Sequence, residues 1–132
     1  MNPCVLYFSR TGNTKLLAEA IASLTKAPIF NIASSEPSVV EAYDTIILGT
    51  PVEGASPAKE TQAFLEGLPN ASGKKAIVFC TYRIFGNERT MKNIEKKLAS
   101  KGYESMLRVS KKMKPNQPID FSEALEKIKK IM

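Results

Sequence analysis

Four runs of the chain are apolar at nearly every position: CVLYF at 4–8, PIFNI at 28–32, TIILG at 45–49 and AIVFC at 76–80. A strand with one solvated face alternates apolar and polar residues, so unbroken runs of this length predict strands buried on both faces. Between them, Leu17, Ala20, Ile21 and Leu24, then Thr61, Phe64, Leu65 and Leu68, then Met91, Ile94 and Leu98 recur at helical spacing. YESMLRV at 103–109 predicts a fifth strand. A last helix follows Asp120, where Asp120 and Glu123 have capping-box spacing ahead of Phe121, Leu125 and Ile128. ASSEPSVVEAY at 33–43 has room for only a short helix.

Strand and helix alternate five times, which predicts an α/β fold: an open, doubly wound, five-stranded parallel sheet with helices on both faces. With 132 residues, 43% of them hydrophobic, the chain has the size and core of a single domain over 1–132. KKMKPNQPID at 111–120 is the most linker-like segment, and the amphipathic helix after it is expected to pack back on the sheet. No run approaches the roughly 18 apolar residues of a membrane span. The N-terminus lacks the basic flank and small-residue cleavage site of a signal peptide, so the expected location is the cytoplasm and no membrane partner is expected. The sequon at Asn70-Ala71-Ser72 is then incidental.

Two cysteines and no histidine exclude a disulfide framework, a zinc or iron–sulfur ligand set and every histidine-based triad or general base. Chemistry must come from backbone, hydroxyls, carboxylates, cations or a bound cofactor. The net charge of +6 favours an anionic partner. Lys92, Lys96, Lys97, Lys101, Lys127, Lys129 and Lys130 fall on helix faces, and Lys111, Lys112 and Lys114 in a loop. Nucleic acid is not expected, because no exposed aromatics interleave with the basic residues.

Cys4 and Arg10 have the C-x5-R spacing of cysteine-dependent phosphatases. Cys4, however, begins a buried strand and at roughly 3.3 Å per residue lies far from the loop beyond it, so a structural thiol is expected. Cys80 ends the fourth strand, where packing is again the expected role. A response-regulator receiver needs acidic residues where Ser9-Arg10 and Thr50-Pro51 stand.

Open α/β sheets bind ligands beyond the carboxyl ends of their strands, at the point where strand order reverses. Three polar, glycine-bearing loops are expected there: Ser9-Arg10-Thr11-Gly12-Asn13-Thr14, Thr50-Pro51-Val52-Glu53-Gly54-Ala55-Ser56-Pro57 and Thr81-Tyr82-Arg83-Ile84-Phe85-Gly86-Asn87. The first joins a buried strand to a helix N-terminus, where free N–H groups and the macrodipole suit an anion. Ser9, Thr11 and Thr14 add hydroxyls, Gly12 permits close approach and Asn13 tolerates unusual backbone angles. One such residue would serve as an ordinary cap. Four in succession point to a phosphate monoester.

This S-x-T-G-x-T loop resembles the FMN-phosphate loop of the flavodoxins. LGTPVEGASPA at 48–58 is similar to the flavodoxin second loop, and FCTYRIFGNERT at 79–90 to the third. The resemblance runs from Val5 to about Ile131 and implies a strand order of 2-1-3-4-5, FMN as cofactor and a role in electron transfer between redox proteins. It implies that Ser9, Thr11, Gly12, Asn13 and Thr14 hold the phosphate and that Thr81 faces the ribityl or pyrimidine side. It also implies that the Gly54 peptide faces flavin N5 and that Phe85 stacks on the ring, within a site also formed by Thr50, Pro51, Val52, Glu53, Gly86 and Asn87. Arg10 and Arg83 lie near the flavin in this reading, and Tyr82 either flanks the ring or closes its strand. Val52-Glu53 stands where many flavodoxins carry Trp or Met. The family is typically acidic around the flavin, whereas this chain is basic, so partners with acidic docking faces are expected. A monomer is expected, with no catalytic side chain and no metal. Two alternatives stand beside the carrier: a small FMN-dependent NAD(P)H or quinone oxidoreductase, and a binding module on the same fold that has lost FMN.

Overall fold

A computed structural model describes residues Met1–Met132. Five parallel strands form the sheet in the order β2-β1-β3-β5-β6: β1 (Pro3–Tyr7), β2 (Ile29–Asn31), β3 (Thr45–Glu53), β5 (Lys74–Tyr82) and β6 (Tyr103–Lys112). Counted among themselves these strands run 2-1-3-4-5, the expected order. The added element is β4 (Ser56–Pro57), which pairs antiparallel with the end of β3. Helices α1 (Asn13–Thr25), α2 (Lys59–Glu66), α3 (Asn87–Ser100) and α4 (Ser122–Ile131) connect or follow the strands.

The unbroken apolar runs are explained by two cores, one on each face. Cys4, Leu6, Ile46, Leu48, Val78 and Cys80 point toward α2 and α3, meeting Phe64, Leu65, Met91, Ile94 and Leu98. Their alternates Val5, Tyr7, Ile47, Ile77 and Phe79 point the other way and meet Leu17 and Ile21 of α1 and Ala124 and Ile128 of α4. Successive side chains leave opposite faces of a strand, so each run feeds both cores.

Several boundaries differ from the pattern. The 28–32 run yields a three-residue edge strand with Ile29 38% exposed, because β2 has a neighbour on one side only. The short helix expected in 33–43 is a 3-10 helix, Pro37–Ala42, preceded by a 3-10 turn at Ile32–Ser34 that begins in the 28–32 run. Helix α1 buries Thr14 and Ala18 with Leu17 and Ile21, and leaves Leu24 exposed on its last turn. Asp120 accepts from the Ser122 N–H at 2.9 Å as a local turn, and α4 starts one residue after Phe121. At the other edge, β6 alternates buried and exposed positions and carries a bulge at Met106, between the Ser105–Ala76 and Leu107–Ile77 pairs.

Both cysteines are free and buried, with β3 between their strands. Burial pushes each thiol up to about 12. No helix is long and apolar enough to cross a membrane.

Gly49 has a packing reason to be glycine. It pairs in register with Phe79, and a Cβ at Gly49 would lie 2.0 Å from that ring. Gly49→Ala is therefore expected to cost about 1–3 kcal/mol by urea denaturation, as overpacking does. Adding Phe79→Leu should recover part of the loss, and a Gly49→Ala chain as stable as the wild type would refute this packing account.

Candidate functional site

The carboxyl ends of β1, β3 and β5 deliver three loops to one edge of the sheet. The first loop is closed on itself by Ser9, whose Oγ accepts from the N–H groups of Gly12 at 3.0 Å and Lys15 at 3.2 Å. Gly12 lies at φ +101° at the N-terminus of α1, and a Cβ there would meet no atom within 4 Å. The position borders open space. The Arg10 and Thr11 N–H groups have no acceptor within the chain, and those of Asn13 and Thr14 precede any intrahelical acceptor. Together they form a set of donors at the positive end of a helix.

The second loop is tighter than the sequence suggested. Strand β3 continues to Glu53, and Gly54 and Ala55, both at φ +60°, form the two-residue turn into β4. Positive φ at both central positions is the requirement of a type I′ hairpin. Thr50 is fully buried, and its hydroxyl is fully used: it donates to Pro51 O at 3.0 Å and accepts from Ala58 N–H at 3.1 Å and Thr61 Oγ1 at 3.0 Å. Its role in this geometry is to fix the return of the chain into α2.

In the third region Thr81 and Tyr82 belong to β5, and the loop proper spans 83–86. Thr81 Oγ1 lies 2.7 Å from Thr14 Oγ1, a buried contact that ties the first turn of α1 to the end of β5. Gly86, at φ +97°, packs against the hairpin so closely that a Cβ would sit 2.7 Å from Ala55 Cα and 3.1 Å from Val52 Cγ1. Asn87 opens α3 and donates to Ser110 Oγ at 3.3 Å. Ile84 and Phe85, at the tip, are 75% and 71% exposed.

A cavity of about 120 Å³ lies among these loops. Arg10, Thr11 and Asn13 line it from the first, Pro51, Val52 and Glu53 from the second, and Thr81, Tyr82 and Arg83 from the third. Ser9, Gly12, Thr14, Thr50, Gly54, Phe85, Gly86 and Asn87 surround this group without lining the cavity. One wall, Met113, comes from a fourth segment that sequence reasoning treated as a linker. Met113 is buried and donates its N–H to Tyr82 O at 2.7 Å. The signal for it was topological: the chain from β6 to α4 must cross the same sheet edge.

Arg10 joins two of the loops. Its Nε and Nη2 donate to Glu53 at 2.9 and 2.8 Å, and its Nη1 and Nη2 to Glu60 at 2.8 and 2.9 Å, with the guanidinium 4.8 Å from the centre of the Phe8 ring. A guanidinium held by two carboxylates is not a phosphate clamp, and the Cys4 thiol is buried in the core, so the C-x5-R spacing has no catalytic counterpart here. Hydrogen bonds from Arg10 hold the Glu60 carboxyl below its ordinary value. A carboxyl depressed in the folded state stabilises it above the unfolded value, and the contribution is lost as pH falls through the folded one. A carbon-detected NMR titration of Glu60 should accordingly show a midpoint below that of an ordinary glutamate, moving back to it in Arg10→Gln. An unmoved midpoint would mean that the clasp does not form in solution.

The model of the flavodoxin domain family matches residues 4–115. An uncharacterized protein of Methanocaldococcus jannaschii is 33% identical over 106 residues, covering 79% of this chain and 70% of that protein. Among solved structures, oxidised flavodoxin 1 of Bacillus cereus is 26% identical with a TM-score of 0.73, covering 94% of this chain and 92% of that one. Two-electron reduced Megasphaera elsdenii flavodoxin is 25% identical at a TM-score of 0.73, covering 88% and 90%. Oxidised flavodoxin 2 of Bacillus cereus shares the fold at a TM-score of 0.81 and 21% identity, covering 99% and 94%. With a family match that takes in all three loops and structural likeness over nearly the whole chain, this protein belongs to the flavodoxin domain family.

Proposed function

We propose that this chain binds FMN noncovalently in the three-loop site and carries electrons between protein partners in the cytoplasm, as a monomer. The first loop carries this reading: a ring of unsatisfied N–H groups at a helix N-terminus, with open space where the Gly12 side chain would be. These features fit a phosphate monoester, and the adjoining cavity gives the remainder of the cofactor a place among the same loops. Bound FMN supplies the redox chemistry by accepting and releasing electrons one or two at a time.

The residues of the chain bind and orient. Ser9 has spent both acceptor sites on Gly12 and Lys15 and keeps its proton to donate, as does Thr11. Thr81 and Tyr82 wall the cavity on the β5 side. The Gly54 turn, the Phe85 ring and the adjoining Gly86-Asn87 backbone are assigned to the flavin end by resemblance to the family. Phe85 is exposed enough to receive a flat partner. Exposed cations outside ion pairs, among them Lys92, Lys96, Lys129 and Lys130, suit docking to acidic faces of redox proteins.

Purified protein mixed with FMN should develop a bound-flavin absorption spectrum, while Gly12→Val, folded by circular dichroism, should lose uptake. Undiminished FMN binding by that variant would move the phosphate elsewhere. Direct bleaching by NAD(P)H without a reductase would favour the oxidoreductase instead. Reduction of the FMN-loaded protein by an acidic partner such as a ferredoxin should slow as ionic strength rises, since exposed charges are screened over about 10 Å at 0.1 M salt. Rates indifferent to salt would end the docking proposal.

A further inference from the structure

We propose that the 113–119 loop and Arg83 form a separate anion subsite beside the cofactor cavity, which takes the phosphate group of a small soluble ligand. A second cavity, of about 240 Å³, lies between this loop and the start of α1, and its walls include Asn13, Arg83, Met113, Lys114, Asn116 and Gln117. A smaller recess of about 90 Å³ on the same loop is lined by Lys111 and Lys112. No carboxylate lines either space. The seven salt bridges of the chain use Arg10, Lys75, Lys97, Arg108 and Lys127, so Arg83, Lys112 and Lys114 are outside every ion pair, while Lys111 lies within electrostatic reach of Asp120. Asp120, at the far end of the segment, directs its carboxylate to the Ser122 N–H.

The loop has a definite shape. Met113 anchors it through its N–H to Tyr82 O and through burial of its side chain. Pro115 followed by Asn116 at φ +62° has the residue order of a type II turn, with proline first and a left-handed asparagine second. Lys114 precedes this turn and lines the same cavity as Arg83, while Asn116 and Gln117 add amide donors and acceptors. Guanidinium and ammonium groups facing one recess recognise a multiply charged, compact anion, the guanidinium bidentately. A phosphate or pyrophosphate has that shape. A recess of about 240 Å³ is large enough for a phosphate ester.

Asn13, Arg83 and Met113 line this cavity and the three-loop cavity alike. A ligand anchored by its phosphate would thus place its other end against the wall shared with the cofactor site. That last step rests on the FMN reading; the subsite itself does not.

The test is calorimetric titration of FMN-loaded protein with inorganic pyrophosphate, so that the first loop is already filled. One saturable site is expected, weakened about tenfold or more in Arg83→Gln and in Lys114→Gln and unchanged in Lys129→Gln on α4, with FMN affinity the same in Lys114→Gln and Lys129→Gln. No saturation, or an equal loss in Lys129→Gln, would reduce the effect to diffuse surface charge and overturn the subsite. A fall in FMN affinity in Lys114→Gln would assign these cations to the cofactor, and tighter binding of a polyglutamate peptide than of pyrophosphate would assign them to an acidic protein; either overturns the proposal. If the protein takes up no FMN, the same titration of the cofactor-free Gly12→Val chain separates the two readings. Binding still lost in Lys114→Gln keeps the subsite while the cofactor assignment falls, and its absence removes both.

Discussion

A parallel sheet leaves both faces to be covered, and this requirement organises the rest of the molecule. The even-numbered residues of β1 and their neighbours need α2 and α3, and the odd-numbered ones need α1 and α4. Every strand must then be followed by a crossing to one face or the other, and each crossing starts from the same end of the sheet. The loops at that end converge because of how the core is buried. Residues far apart in sequence, such as Thr14 and Thr81, meet there at hydrogen-bonding distance.

Convergence alone would leave the loops free to move relative to one another, and each junction between them uses a different interaction. Paired hydroxyls join α1 to β5, and the Arg10 clasp joins the first loop to the hairpin and α2. Backbone contact at Gly86 seats the third loop on Ala55, and a main-chain hydrogen bond fastens the fourth segment to β5. The buried junctions do not depend on salt, while the clasp, with Arg10 43% and Glu53 35% exposed, is open to screening. These junctions hold the walls of the cavity together, and a wall so held lowers the ordering cost of binding.

The double-sided strands and the three polar loops were legible in the sequence because burial on two faces and glycine-bearing turns each leave a local residue signature, while the strand order came only through the resemblance to the flavodoxins. The extension of β3 into a hairpin was not: Val52-Glu53 and Ser56-Pro57 lack strand character, and the turn forms only because Gly54 and a left-handed Ala55 allow it. Nor did the sequence distinguish Thr50, whose hydroxyl serves the return into α2, from a loop hydroxyl open to a ligand. Met113 escaped notice because its place depends on the path of the chain across the sheet, and a run of lysine, proline and asparagine looks the same whether it links or walls. Arg10 had no local sign of its carboxylate partners, which lie 43 and 50 residues away.

Strand β6 has a wider consequence. A ten-residue strand paired with β5 on one side only leaves an outer edge on which another copy could add a strand. The bulge at Met106 breaks the regular spacing such an addition needs, and Glu104, Arg108 and Lys112 place charge at the exposed positions along it. Arg108 is further drawn back toward α3 by Glu88 and Glu95. The irregularity that costs the fold some ladder regularity therefore works against self-association. The same departure from regularity that bends the edge thus leaves a second copy of the chain no even ladder to extend.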